Sequence, residues 1–458
     1  MRRVKPIVKR LAIAISVLVL GLFLVGLIGF YRGLTPVPKP PPGVRTNPSF
    51  PPITRSNLTS DNGAYYYVKA AEFLNNCKRS EDCEEQMDAL RAGAFSGDTR
   101  AIEQTITDCR ESLELGREGT KMSFCQMPQL APGAHSMTLL SGLRRLARLL
   151  VVEGKLAERT GDFDRALSNH LAVIKLGSDC RRGGVLIVSL VGDAIAGMGA
   201  QATRAWIVRN ATSPEALQNV NDKLGRTNSG RVAYAETLRY ELEYTKENFD
   251  REVLTQSPQW QRGLFGNQAM FACFDAAFGD LIQDAEKPFW ESNAKAIEEK
   301  WNIGKRPAWT WSLNLPIPRV VIALLLPATV PAREKAVRAE LELEATIVVC
   351  ALKAYELARG RPPQELAELV PELLASLPVD PFDGKPLRHR REGDGWVIWS
   401  VGSDMKDDNA AWHEFKYRER DDEREGGDIY FKSTEPQDDL AWYRAHVSRT
   451  SSDNTSAQ

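Results

Sequence analysis

The amino-acid sequence predicts a mainly α-helical protein: one N-terminal transmembrane helix, then a helical bundle or short repeat-like array, then a small α+β module near the C-terminal end. Three observations predict this. Residues 11–30 form an uncharged apolar run, apolar residues recur at helical spacing from Asp61 to about Arg359, and a short β pattern follows only at Gly395 to Val401. In chain order the expected parts are a basic cytoplasmic N-terminus (1–10), the transmembrane helix (11–30), a proline-rich spacer (31–59) and a helical domain (60–332). A helix with a small antiparallel sheet (333–433) and a polar tail (434–458) complete the chain.

The run Leu11 to Phe30 reads LAIAISVLVLGLFLVGLIGF, without a charge. At about 1.5 Å rise per residue it matches a hydrocarbon core about 30 Å thick. Arg2, Arg3, Lys5, Lys9 and Arg10 stand before it, against only Arg32, Lys39 and Arg45 over a longer stretch after it. That asymmetry keeps the N-terminus inside and places the bulk of the chain outside the cytoplasm, as expected for a single-pass protein of a bacterial inner membrane. A cleaved signal peptide is the competing reading, but it has a shorter apolar region and a small-residue cleavage site, which Tyr31-Arg32-Gly33-Leu34 is not. The prolines crowded between Pro36 and Pro52 predict an extended, semi-rigid spacer that lifts the next domain off the membrane.

Within the helical region the clearest unit spans residues 141–208. Leu143, Leu146, Leu149, Leu150 and Leu156 form one apolar face before a turn at Thr160-Gly161-Asp162, which predicts a helical hairpin. The run from Ala157 to Leu167, continuing to Ala172 and Leu176, resembles the turn and second helix of a tetratricopeptide repeat. A solenoid needs about three such units at a period near 34 residues, and second and third copies are not found.

Gly183 to Ala200 is apolar enough to raise a second membrane crossing. Asp193 argues against it, and the small residues Gly192, Ala196, Gly197 and Ala200 suit close helix packing in a bundle. Val320 to Leu326 is too short to cross and is bounded by Pro318 and Pro327, which assigns it to the core. Phe271, Phe274 and Phe278 keep helical spacing within an aromatic-rich stretch and are expected to be core aromatics.

Lys plus Arg (59) and Asp plus Glu (60) nearly cancel, so there is no electrostatic footprint for nucleic acid, and none is expected as a partner. The cysteines lack C-x-x-C spacing, which disfavours a thiolate metal site. Cys77, Cys83, Cys109 and Cys125 are near enough in sequence to bridge in an oxidising compartment, with three connectivities open; buried free thiols are the alternative.

A further apolar stripe, Val337, Leu341, Ala345, Val348, Leu352 and Tyr355, lies on a helix that ends at Gly360, before Pro362-Pro363. Next come Leu377-Pro378-Val379-Asp380-Pro381-Phe382-Asp383-Gly384-Lys385-Pro386-Leu387, Trp396 to Asp404, and Gly427-Asp428-Ile429. This order resembles the globular part of the major pseudopilin of type II secretion over residues from about 335 to 432. The family has a similar helix, a G-x-Y-P turn, an L-P-x-D-P-W-G-x-P-Y segment, an S-x-G-x-D loop and a closing D-I. A pseudopilin also carries Gly-Phe before its apolar helix and a Glu early inside it. Here Gly29-Phe30 closes the apolar run instead of preceding it and residues 11–30 contain no Glu, so processing as a pseudopilin is not expected. The chain as a whole resembles uncharacterised bacterial membrane-anchored proteins.

The resemblance implies a calcium site, because family members bind calcium in the loop between the last strands. It falls on Asp404 and Asp428, with Asp407 and Asp408 as nearby carboxylates; clustered oxygen ligands suit that ion. The strands are expected to bring Asp404 and Asp428 near one another. Two departures stand out: a charged insertion, HEFKYRERDDERE, and Met405 where the family has glycine after the Asp.

Catalytic signatures are not found: no H-E-x-x-H, G-x-S-x-G, phosphate loop or dinucleotide fingerprint occurs, and Glu241 and Glu243 read as a solvated pair on a charged helix. The expectation is a non-enzymatic, membrane-anchored cell-envelope scaffold with a protein partner. An accessory component of a type II secretion or pilus-like system and an enzyme with an unrecognised site in the helical domain are the alternatives.

Overall fold

The computed structural model describes residues 39–77, 81–93, 95–130, 134–229, 232–249, 267–301, 317–410 and 428–433. The expected membrane helix at 11–30, the basic N-terminus, the polar tail and the whole charged insertion lie outside the described residues. The described chain is mainly helical with one small sheet, as the sequence predicts. Its helices are α1 (Gly63–Asn76), α2 (Glu81–Arg91), α3 (Arg100–Asp108), α4 (Arg110–Lys121), α5 (Ala134–Thr160) and α6 (Phe163–Asp179). They continue as α7 (Leu186–Asn210), α8 (Pro214–Ser229), α9 (Tyr234–Asn248), α10 (Asn267–Ala285), α11 (Ala294–Trp301) and α12 (Ile317–Arg359). The strands β1 (Arg388–Glu392), β2 (Gly395–Ser400) and β3 (Ile429–Lys432) form an antiparallel sheet in sequence order.

Local chemistry sets the helix starts. Asn62 caps α1 by accepting from Ala64 N, and its amide also spans to Gln126 O at 3.0 Å. Ser213 Oγ accepts from Ala216 N with Pro214 at the first helical position of α8, where its missing N–H costs nothing. Asp162 caps α6, and Gly161 adopts φ +79° in the turn before it, so α5 and α6 form the expected hairpin. Leu143, Leu146, Leu149 and Leu150 are buried along its inner face.

The helix α7 is the one long enough and apolar enough to cross a membrane among the described residues, yet most of its apolar stretch is buried against protein. It packs on α6 and α12. The small residues allow close approach: a Cβ at Gly177 of α6 would lie 2.4 Å from Ala196 N and 2.4 Å from Gly192 O. Gly197 is the exception in the predicted set, since it faces open space. Asp193 lies 3.4 Å from Arg181, whose side chain is fully buried.

The segment from residue 39 to about 54 forms neither helix nor strand, turning once where Val44 N donates to Pro41 O at 3.3 Å, and it does not stand away from the helices. Pro40 and Pro41 lie over Gly279 of α10, Arg45 pairs with Glu236 at 2.8 Å, and Ser49 N donates to the same carboxylate. Gln126 Nε2 donates to Pro51 O, and Gln129 N to Ile53 O, each at 2.8 Å. This stretch is therefore a strap on the helical body, a correction to the expected free-standing spacer. Proline fixes backbone direction; whether an extended segment is docked depends on partners far along the chain.

The helix α12 runs unbroken through Pro327 and Pro331 and across position 333. Ile322, Ala332 and Ala336 join a core with α9, α10 and α11, which also buries Phe274 and Phe278. Further along, Val337, Leu341, Ala345, Val348 and Leu352 share a second core with Trp206 and Ile207 of α7, Leu217 and Val220 of α8, and Trp396 and Ile398 of β2. The helix and sheet of the C-terminal part thus pack directly on the helical array.

Candidate functional site

The C-terminal sheet is organised around Asp380, a fully buried carboxylate. Its Oδ1 accepts from Phe382 N at 3.0 Å and from Ser400 Oγ at 2.8 Å; its Oδ2 accepts from Val401 N at 2.9 Å and Arg388 Nη1 at 2.8 Å. Arg388 also reaches Asp383 at 2.5 Å and Asp407 at 3.4 Å. The Arg388 contact holds the Asp383 carboxyl below its ordinary value, against a smaller opposing effect of burial. One carboxylate thereby ties the proline-flanked turn, β1 and the end of β2 together. The turn itself follows from Gly384, at φ +74°, and from Asp383 Oδ1 accepting from Lys385 N.

Beyond β2 the chain passes through the acidic loop that the sequence singles out. Asp404 Oδ1 accepts from Lys406 N at 3.1 Å. Asp407 Oδ1 accepts from the Trp399 indole at 2.9 Å and from Asn409 N at 3.0 Å. Burial opposes ionisation of Asp407, but these donors and Arg388 hold its pKa low. The pairing of β2 with β3 delivers Asp428, whose Oδ2 accepts from Asp408 N at 3.0 Å and Ala410 N at 2.7 Å. Asp428 thus meets the Asp407–Ala410 turn, while Asp404 sits in the turn before it.

The Asp428 Oδ1 atom is buried and accepts from no donor among the described residues. Burial holds this carboxyl above its ordinary value, with the Asp407 and Asp408 charges adding to the effect and the two amides opposing it. Among the described residues no set of three or more His, Cys, Asp or Glu side chains is arranged to hold a metal ion. Met405, at φ +58°, occupies the left-handed conformation that favours the glycine expected there; Asn409 and Ala410 share it, at φ +58° and +54°.

A cleft of about 280 Å³ opens on the other side of the sheet, between Val208 of α7, Lys353 and Glu356 of α12, and Glu392, Asp394, Trp396 and Ser433. The Trp396 indole N–H lies buried at its wall without an acceptor among the described residues.

The helical body carries buried charges that sequence reasoning missed. Glu158 Oε1 accepts from His170 Nε2 at 2.8 Å and from Lys155 Nζ at 2.9 Å across the α5–α6 hairpin. Burial holds both His170 and Lys155 below their ordinary values, opposed by Glu158. The neighbouring Glu153 receives Arg117 at 2.7 Å, Arg165 at 2.5 Å and Asn169 at 3.1 Å. Asp284 binds Arg333, Ser292 Oγ and Asn293 N.

Glu241 is not the solvated carboxylate its charged helix suggests. Burial raises its pKa, and its Oε2 accepts from Leu186 N at 2.7 Å, the first amide of α7. These groups join one helix to the next, acid to base or acid to amide. The i,i+3 spacing of Lys155 and Glu158 is readable in the sequence, and the hairpin register adds His170; the partners of Glu241 and Asp380 carry no such signal.

No family model, no curated protein and no solved structure matches this chain.

Proposed function

We propose that this chain is a membrane-anchored, non-enzymatic cell-envelope protein that holds a helical body close to the outer face of the cytoplasmic membrane and binds a protein partner there. The observation that carries this reading is the uncharged run at 11–30 followed so soon by a docked strap. Only residues 31–38 separate the run from the segment fixed on α10, and fully extended they reach about 28 Å at most. The side of the body bearing Pro40, Pro41 and Gly279 is therefore held toward the bilayer. The buried ion pairs, closed within the body, support a rigid binding module. Crosslinking in intact cells from the outer face tests it: a discrete heteromeric product is expected, and only self-contacts under several crosslinkers would count against the reading.

A second reading is favoured by the C-terminal module, whose helix, proline-flanked turn and antiparallel sheet follow one another in pseudopilin order. On this reading the chain is an accessory of a secretion or pilus-like system, and its calcium ligands come from Asp404, Asp407, Asp408 and Asp428. The buried, undonated Asp428 Oδ1 supports a cation there, since an acceptor without a donor is costly unless something positive meets it. Millimolar calcium is expected to raise the melting temperature of the full chain, and Asp428→Ala to abolish the rise. An unchanged melting temperature in calcium would remove the site and leave the anchored-scaffold reading standing.

A further inference from the structure

Two of the four clustered cysteines are placed to react with one another. The helices α1 and α4 run antiparallel in close contact. At one end, a Cβ at Gly63 would lie 2.9 Å from Gly119 O, and a Cβ at Gly119 would meet the Tyr67 ring. At the other end, Cys77 terminates α1 and Cys109 opens α4, so both cysteines stand at the end of the pair away from Gly63 and Gly119. Cys77 Sγ donates to Phe73 O at 3.5 Å, and Cys77 is the side chain that acts most strongly on the Cys109 thiol. Arg145 fixes the site by donating to the main-chain oxygens of Leu74 and Cys77. Cys83 has a different neighbourhood, with its thiol against Thr105 Oγ1 and Ala101 O. Cys125 is at the far end of α4, buried beside Gly63.

We infer that Cys77 and Cys109 form a structural disulfide, which selects one connectivity from those the sequence leaves open. Its formation in the cell rests on the extracytoplasmic reading above. The half-buried Cys77 thiolate attacks the disulfide of a dithiol-disulfide oxidant, forming a mixed disulfide and releasing one oxidant thiolate. The buried Cys109 then loses its proton and attacks the Cys77 sulfur, releasing the second oxidant thiol. Two cysteine thiols are oxidised and one oxidant disulfide becomes two thiols. Burial, with Cys77 contact adding to it, pushes the Cys109 thiol up to about 12, so the half-buried partner is the entry point for the oxidant.

The test is alkylation of the full chain without prior reduction, followed by peptide mass spectrometry, on protein as isolated from cells and on reduced protein treated with oxidised glutathione. A Cys77–Cys109 linked peptide in both samples is expected. The wild-type chain should then lose about 5 °C of melting temperature on reduction, a loss absent from Cys77→Ser. A link that appears only after glutathione treatment upholds the pairing and overturns the extracytoplasmic placement. Alkylation of both cysteines after that treatment, or a link to a different cysteine, overturns the pairing itself.

Discussion

Replacing Asp380 by alanine is the most demanding test of how the C-terminal module is held. The carboxylate is fully buried and accepts four hydrogen bonds. In Asp380→Ala, Arg388 keeps Asp383 and Asp407, and the Ser400 hydroxyl can rotate and still accepts from Gly402 N at 3.2 Å. The amides of Phe382 and Val401 are left buried without acceptors. Each orphaned group costs about 1–3 kcal/mol, so the sum is about 4 kcal/mol. Since a 1.4 kcal/mol difference is a factor of 10, exchange of the β2 amides through local opening should quicken about 10²–10³-fold. Hydrogen–deuterium exchange of the full chain, read on peptides covering residues 395–401, measures this. Asp380→Asn, which keeps one acceptor oxygen, should fall between the two. A change under about threefold in the alanine variant would refute the claim that this residue ties turn to sheet.

Two further outcomes follow from the helical body. Burial holds His170 below its unfolded value of 6.5, so the unfolded chain binds the proton first as pH falls. The stability due to neutral His170 is complete above 6.5 and is lost as pH drops toward the folded-state value. His170→Gln, which can still donate to Glu158, should flatten that slope in denaturation measured from pH 7.5 to 5.5. Gly177→Ala drives a methyl into the backbone of α7 and should cost about 1–3 kcal/mol in thermal unfolding, whereas Gly197→Ala, facing open space, should be neutral or stabilise by up to about 1 kcal/mol. Equal effects at the two glycines would contradict the α6–α7 contact.

What could be read from the sequence was local. The hairpin was legible in Leu143 to Leu156, Gly161 and Asp162, because helical spacing and cap chemistry act within a few residues. The close packing of α7 was legible in Gly192 and Ala196 for the same reason. The docked strap was not, because the partner of Arg45 is Glu236, far along the chain. The continuity of α12 through Pro327 and Pro331 was hidden because tertiary packing on both sides outweighs the lost hydrogen bonds. In the acidic loop the sequence placed the carboxylates but not their donors. Asp380 stood out only as one residue of the Leu377–Leu387 segment, although the hydroxyl of Ser400 and the amide of Val401 complete its site.

The topology proposed above is one N-terminal crossing with the rest of the chain outside the cytoplasm and α7 packed as a core helix. A reporter that is active only outside the cytoplasm, fused in separate strains at Asp61 and at Gln458, tests it most directly. Activity at both positions is the predicted result. Activity at Asp61 with silence at Gln458 would make α7 a second crossing, and silence at both would remove the anchor from the account.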